Sequence, residues 1–110
     1  MEELKVHTSY GNINVYKRGT GDKILFLLHG SGTDSAMLSW WGMMKNFTRE
    51  YTVYAPDLLG YGKSDKPDIR GENFYPVHIQ ALNEMADQLG AEEFYLAGLS
   101  MGGAVAIGYA

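Results

Sequence analysis

Alternating hydrophobic and polar positions along the first third of the chain predict three strands, over 4–8, 12–17 and 23–28. A tight turn at 10–12 separates the first two, which we therefore expect to form a hairpin-like pair. The third strand is nearly all apolar, a composition typical of a strand that is buried on both faces.

Helical spacing replaces the alternation after residue 36. The first predicted helix has an unusually broad apolar face, formed by Met37, Leu38, Trp40, Trp41, Met44 and Phe47. For Trp40 and Trp41 this predicts a place in the core or in a pocket wall. A fourth strand is predicted over 51–55, followed by a long polar, glycine-rich connection over 58–73.

A second helix follows, with Gly90 as the residue that ends it. Its predicted apolar face consists of Tyr75, Ile79, Leu82, Met85, Ala86 and Leu89. A fifth strand over 93–97 and a helix over 101–110 complete the chain. No cap, glycine stop or proline follows that last helix. Residues 1–110 are therefore predicted to be the N-terminal part of one longer domain.

The order of elements predicts an α/β fold. Strands that alternate with helices are joined by right-handed crossovers and lie parallel in one sheet. The hairpin-like pair adds an antiparallel edge at the N-terminal side. We therefore expect a mostly parallel sheet with an antiparallel N-terminal edge and helices on both faces.

Composition and charge exclude several classes of function. The 110 residues carry a net charge of −4, and no basic stripe gathers the nine lysines and arginines, which argues against a nucleic-acid partner. Cysteine is absent, which excludes disulfides and thiolate metal sites. The longest apolar run, 24–28, is far too short to span a bilayer. The N-terminus lacks the pattern of a signal peptide, so we expect a cytoplasmic protein with no membrane partner.

The most informative motif is Gly98-Leu99-Ser100-Met101-Gly102, between the fifth strand and the last helix. This G-x-S-x-G spacing is typical of a nucleophile elbow, a sharp turn that exposes a serine at a helix N-terminus. Developing negative charge is stabilised at that end of a helix. A serine in this place can also be an ordinary helix cap. Both interpretations stay open on this motif alone.

A second motif, His29-Gly30-Ser31-Gly32, directly follows the third strand. Acyl transfer needs two backbone N–H groups aimed at the developing oxyanion, one from the residue after the nucleophile and one from an earlier glycine-rich loop. The spacing predicts that Met101 and Ser31 provide them. A structural, hydrogen-bonding role is favoured for His29 over metal ligation, because no second ligand stands at a suitable spacing.

Two phosphate-binding motifs are nearly matched and are disfavoured. The run 30–35 resembles the dinucleotide fingerprint, but Ser35 replaces its last glycine and the loop follows the third strand rather than the first. The run 57–64 ends like a P-loop, but Asp57 occupies the position of the required first glycine. Asp57 and Ser64 are instead predicted to hold this loop by local hydrogen bonds. Surface or packing roles are expected for His7 and His78.

Taken in chain order, the three motifs resemble those of the α/β-hydrolase family. They are His29-Gly30-Ser31-Gly32, Asp57-x-x-Gly60-x-Gly62-x-Ser64 and Gly98-x-Ser100-x-Gly102-Gly103. The likeness covers essentially the whole chain and is strongest to meta-cleavage product hydrolases and related small esterases. Thr33 stands where the carbon–carbon hydrolase pattern has proline. The haloalkane dehalogenases and epoxide hydrolases have aspartate in place of Ser100.

The resemblance implies a serine hydrolase that cleaves an ester or a similarly activated carbonyl compound, including a carbon–carbon bond, through an acyl-enzyme. Its substrate would be a small molecule, and no metal or cofactor is needed. Ser100 would attack, and the Ser31 and Met101 amides would hold the oxyanion. In this family the acid and the histidine follow the serine. His7, His29 and His78 all precede it, so none is assigned as the base.

Two hypotheses follow for the chain as it stands. The first is that it forms part of a longer serine hydrolase and is inactive when isolated, because ten residues after Ser100 contain neither an acid nor a histidine. The second is a non-enzymatic binding module that keeps the fold without the triad. The sequence does not determine the oligomeric state.

Overall fold

A single five-stranded sheet organises the chain, seen in a computed structural model that describes residues 1–46 and 48–110. The strands are β1 (Glu2–Thr8), β2 (Gly11–Arg18), β3 (Lys23–Leu28), β4 (Tyr51–Pro56) and β5 (Tyr95–Gly98). Their order across the sheet is β1-β2-β4-β3-β5. All five strands therefore match predictions from the hydrophobic pattern, with ends shifted by one or two residues.

The strand pairing brings the ends of β3 and β5 together. β1 and β2 form an antiparallel hairpin, and β2 also pairs antiparallel with β4. β3 lies parallel between β4 and β5, with Leu28 opposite Gly98. The predicted parallel region and antiparallel edge are both confirmed. Because the carboxyl ends of β3 and β5 are adjacent, the loops that follow these two strands must meet.

Three helices cover the two faces of the sheet. They are α1 (Ala36–Met44), α2 (Phe74–Gln88), which follows a short 3₁₀ turn at Gly71–Asn73, and α3 (Met101–Tyr109). Phe26 and Leu28 of β3 point into a core shared with α2 and α3, whereas Leu27 points into a second core under α1. Helices on both faces are thus confirmed. No helix in the described part of the chain has the length and apolar character needed to cross a membrane.

The broad apolar face predicted for α1 is only half buried. Trp40 and Met44 pack into the core, at 6% and 0% exposure. Leu38 and Trp41 are 74% and 59% exposed, so the core place predicted for Trp41 is wrong, and its place in a pocket wall stays a prediction. A short helix touches a sheet through one stripe of residues, and these two side chains lie outside that stripe. Phe47, predicted to extend the same face, lies outside the described residues.

The buried face of α2 is also shifted from the predicted one. Tyr75 is 43% exposed, while His78 and Ala81 are buried together with the predicted Leu82 and Met85. α2 packs against both α3 and β1, and its buried residues are Val77, His78, Ala81, Leu82, Met85 and Ala86. The helix ends as predicted, since Gly90 just after its end has φ +71°.

Candidate active site

Ser100 occupies a strained turn between β5 and α3. Its backbone has φ +52° and ψ −111°, and it is the one residue other than glycine with positive φ in the described part of the chain. A conformation of this kind costs roughly 1–3 kcal/mol and persists only where the surrounding structure enforces it. Ser100 is exposed, at the carboxyl end of the sheet. Strain held at an exposed serine is a feature of functional turns.

The backbone geometry separates the two interpretations of this serine. Ser35, at the start of α1, is an ordinary cap: its backbone is extended and its hydroxyl oxygen accepts a hydrogen bond from Leu38 N–H at 3.3 Å. Ser100 stands at the equivalent position of α3, but its side chain makes no cap hydrogen bond. The capping interpretation therefore fails for Ser100, and its hydroxyl is left available for chemistry.

The glycines that flank Ser100 are required by close backbone approach. A β-carbon on Gly98 would lie 2.4 Å from the backbone of Gly102, and one on Gly102 would lie 2.4 Å from the Leu28 carbonyl oxygen. The elbow is also tied to β3 directly, because Leu99 N–H donates to that same Leu28 carbonyl at 3.0 Å. The G-x-S-x-G spacing therefore reflects how tightly the turn packs on the end of β3.

The loop after β3 lies against the serine. A β-carbon on Gly30 would be 3.5 Å from the Leu99 carbonyl oxygen and 3.8 Å from Ser100 Cβ. Ser31 and Gly32 follow on the exposed side of this loop, and Gly32 has φ +80°. The structure thus brings together the two motifs that the sequence separates by about seventy residues.

The predicted oxyanion donors stand at the edges of this junction. Met101 is the first residue of α3, and the N–H groups of a first helical turn have no acceptor within the helix. Ser31 immediately follows Gly30, the residue packed on the elbow. One predicted donor thus belongs to each of the two adjoining loops, and their role in holding an oxyanion stays a prediction.

Asp34 holds the Gly30 loop in place. Its Oδ2 accepts a hydrogen bond from Gly30 N–H at 2.9 Å and from the Ser39 hydroxyl, and its Oδ1 accepts from Ser35 N–H at 2.8 Å. Desolvation alone would raise the pKa of Asp34, but the hydrogen bonds from Ser39, Ser35 and Gly30 outweigh it and lower the pKa below its usual value. Sequence reasoning missed this contact. The available signal was an aspartate just before a helix, a residue type that binds local backbone N–H groups.

His29 is a buried bridge between two loops. Leu58 N–H donates to its Nε2 at 3.0 Å, so the proton is on Nδ1, which donates to the Gly30 carbonyl at 2.6 Å. Its ring also packs edge-on against Tyr61, whose hydroxyl contacts Met101 Sδ at 3.5 Å. The structural role predicted for His29 is confirmed. Both ring nitrogens are therefore engaged, and neither is free to act on Ser100.

Asp57 organises the loop after β4. Its carboxylate is 1% exposed and accepts hydrogen bonds from Lys63 N–H at 3.1 Å and Ala36 N–H at 2.9 Å, with Asn14 Nδ2 at 3.3 Å. The Ser64 hydroxyl donates to the Asp57 carbonyl oxygen. The predicted local hydrogen bonds are confirmed. The bond to Ala36 also fixes the start of α1, which the sequence did not reveal.

Neither of the other two histidines is hydrogen-bonded to the Ser100 hydroxyl. His7 is on the exposed part of β1 and contacts Asn12. His78 is 1% exposed, neither ring nitrogen has a hydrogen-bond partner among the described residues, and burial lowers its pKa to about 4. Within residues 1–46 and 48–110, no side chain is hydrogen-bonded to the Ser100 hydroxyl. Among the described residues, Ser100 thus has the Gly30 loop beside it but no hydrogen-bonded base.

Comparisons with known proteins agree with this geometry. A family model described as the alpha/beta hydrolase fold matches residues 23–110. A strigolactone esterase of Arabidopsis thaliana is 35% identical over 107 residues, which cover 94% of this chain and 39% of that protein. A 2-hydroxy-6-oxononadienedioate/2-hydroxy-6-oxononatrienedioate hydrolase of Paraburkholderia phymatum is 33% identical over 112 residues. The matched region covers 98% of this chain and 35% of that protein.

The fold is shared with solved structures as well. A meta-cleavage product hydrolase from Pseudomonas fluorescens superposes with a TM-score of 0.86 at 25% identity, over 96% of this chain and 39% of that one. The chain spans about a third of the length of the curated relatives that it matches.

Proposed function

Because the chain belongs to the α/β-hydrolase fold family, we propose that Ser100 is the nucleophile of a serine hydrolase. The reaction is the cleavage of an ester, or of a similarly activated carbonyl compound including a carbon–carbon bond, through an acyl-enzyme. Residues 1–110 form the N-terminal part of the catalytic domain in this proposal. The relatives named above are hydrolases and one of them is an esterase, which supports this class of reaction.

The observation that carries the proposal is the turn at Ser100. Its positive φ holds the hydroxyl out of the capping position, and the Gly30 loop packs against it. In the first step Ser100 Oγ bonds to the substrate's carbonyl carbon, and the carbonyl oxygen becomes an oxyanion. The Ser31 and Met101 N–H groups donate hydrogen bonds to that oxygen. Loss of one such donor typically lowers the rate by ~10²–10³.

The proton of the Ser100 hydroxyl must pass to a general base during this attack. The N–H groups that bind the oxyanion are hydrogen-bond donors, so they cannot accept this proton. The leaving group then departs, and water attacks the acyl-enzyme to restore the serine. His29 is excluded as this base by its two hydrogen bonds. We propose that the histidine and the acid that orients it are supplied by residues outside this chain, so that the isolated 110-residue chain is inactive.

The test compares Ser100→Ala with the unchanged complete natural protein, with short 4-nitrophenyl esters as substrates. Ser100→Ala is expected to abolish turnover, and a fluorophosphonate probe is expected to label the unchanged protein at Ser100. Ser9→Ala is the matched control, since Ser9 is on the β1–β2 turn and bonds Glu84. Full turnover in Ser100→Ala would refute the proposal. Efficient ester cleavage by residues 1–110 alone would refute the expected inactivity of the isolated chain.

An alternative function is a binding module that uses the junction of the Ser100 turn and the Gly30 loop without catalysis. It is favoured by one observation, the absence of a hydrogen-bonded base at Ser100 within the described residues. The labelling experiment separates the two functions. A nucleophile activated in the complete protein reacts with the probe, whereas a serine in a binding module does not.

A further inference from the structure

A carboxylate lies unusually close to the proposed nucleophile. The point where a β-carbon on Gly30 would stand is 3.2 Å from Asp34 Oδ2 and 3.8 Å from Ser100 Cβ. The carboxylate and the serine therefore lie on the same side of Gly30. The oxyanion proposed above would form beside the same loop, so Asp34 is within electrostatic reach of the reacting carbonyl group.

The charge of Asp34 is fixed but not neutralised. Its three hydrogen-bond donors are the Gly30 and Ser35 amides and the Ser39 hydroxyl, none of which carries a positive charge. These bonds keep the pKa of Asp34 below its ordinary value, so the group is ionised at neutral pH. His29, on the same loop, directs its two ring nitrogens to Leu58 N–H and the Gly30 carbonyl rather than to Asp34.

The salt bridges in the described part of the chain are elsewhere. Lys63 pairs with Glu3 on the exposed surface near β1, and Arg70 pairs with Asp68 in the connection before α2. The other carboxylate behind the site, Asp57, is buried and likewise accepts hydrogen bonds from neutral donors. Among the described residues, therefore, no salt bridge compensates the charge of Asp34.

We propose that Asp34 makes the site selective for neutral acyl groups over acyl groups that carry a negative charge. The inference rests on the proposed function, since it concerns the acyl group that Ser100 accepts. The reaction already generates one negative charge at the oxyanion, and a second on the acyl chain would be repelled by Asp34. Two like charges about 8 Å apart, in an effective dielectric constant between about 80 and 20, repel enough to change a rate by about 2- to 30-fold.

The experiment uses two esters of equal acyl length, 4-nitrophenyl hexanoate and mono-(4-nitrophenyl) adipate, which differ by a terminal carboxylate that is too far from the ester to attack it. In the complete natural protein, kcat/KM is measured for each ester at neutral pH, and the ratio of neutral to anionic substrate is calculated. Asp34→Asn is expected to lower this ratio by about 2- to 30-fold. Asp87→Asn, which removes an exposed carboxylate on α2, is the matched control and is expected to leave the ratio unchanged.

The ratio distinguishes charge from loop geometry. If Asp34 only positions the Gly30 loop, Asp34→Asn lowers both kcat/KM values together and the ratio stays constant, which overturns the inference. If Asp34→Asn does not fold, the test is made on the unchanged protein. Its ratio of neutral to anionic kcat/KM is expected to decrease as the salt concentration is raised, because salt screens the repulsion. A ratio that is insensitive to salt overturns the inference in that case. If neither ester is cleaved in a Ser100-dependent way, the proposed function fails, and the inference fails with it.

Discussion

The buried ring of His78 is expected to make this protein lose stability in mild acid. The side chain is 1% exposed and packs edge-on against Phe74, with ring centroids 4.7 Å apart. Neither ring nitrogen has a hydrogen-bond partner among the described residues. Burial lowers the pKa of His78 from 6.5 to about 4, since a charged imidazolium would lose its hydration there without gaining a partner.

The sign and size of the effect follow from proton linkage. The unfolded chain binds a proton at His78 below about pH 6.5, whereas the folded chain resists protonation until about pH 4. The stability is therefore fully present above pH 6.5 and is lost as the pH falls towards 4. One pKa unit corresponds to about 1.4 kcal/mol, so the loss is about 2 kcal/mol at pH 5 and about 3 kcal/mol at pH 4.

The assay is urea unfolding, followed by tryptophan fluorescence at pH 7 and pH 5. His78→Phe removes the titrating group and keeps an aromatic ring against Phe74. Its decrease in unfolding free energy between the two pH values is expected to be about 2 kcal/mol smaller than that of the unchanged protein. Because each variant is compared with itself, any constant packing cost of the substitution cancels. His7→Gln, which removes an exposed ring, is the control and is expected to behave like the unchanged protein. Equal decreases in His78→Phe and in the unchanged protein would refute the reasoning.

Two further predictions concern the backbone at the elbow. Gly102→Ala is expected to destabilise the protein by at least about 2 kcal/mol in urea unfolding, because its β-carbon would meet the Leu28 and His29 carbonyl oxygens at 2.4 and 2.5 Å. Gly42→Ala in α1 is the matched substitution, because a β-carbon there meets nothing within 4 Å, and it is expected to stabilise the protein by up to about 1 kcal/mol. Equal effects of the two substitutions on stability would contradict the close packing of Gly102 on β3. Ser100→Gly is expected to stabilise the protein by about 1 kcal/mol, since glycine tolerates φ +52°. Ser100→Ala is not expected to stabilise it, because alanine keeps a β-carbon. An equal stability of these two serine variants would show that the turn stores no strain.

Local chemistry accounts for the parts of the fold and site that were predicted. Strand positions follow from period-two alternation, and the end of α2 follows from Gly90, because both are decided within a few residues. The loop interactions of Asp57 and Ser64 were also predictable, since such side chains bond nearby backbone groups. Three short motifs in a fixed order were enough to identify the family, which the match over residues 23–110 bears out.

Burial around the helices was not predictable in the same way. An apolar pattern shows that a helix has an apolar face, but not which part of a broad face meets the sheet. Trp41 and Tyr75 belong to the predicted faces and are exposed, whereas His78 is polar and buried. These outcomes depend on how each helix packs against elements distant in the sequence, such as β1 and α3 for α2.

The sequence by itself determined that a serine follows a strand and opens a helix, with glycines at the spacing of an elbow. Only the tertiary structure decided that this serine is not a cap, because its φ is positive and its side chain makes no cap hydrogen bond, in a turn packed closely on the end of β3. It also decided that Asp34 stands beside the serine. The parallel pairing of β3 with β5 puts their two loops side by side, and a distance across a sheet is not encoded in separation along the chain.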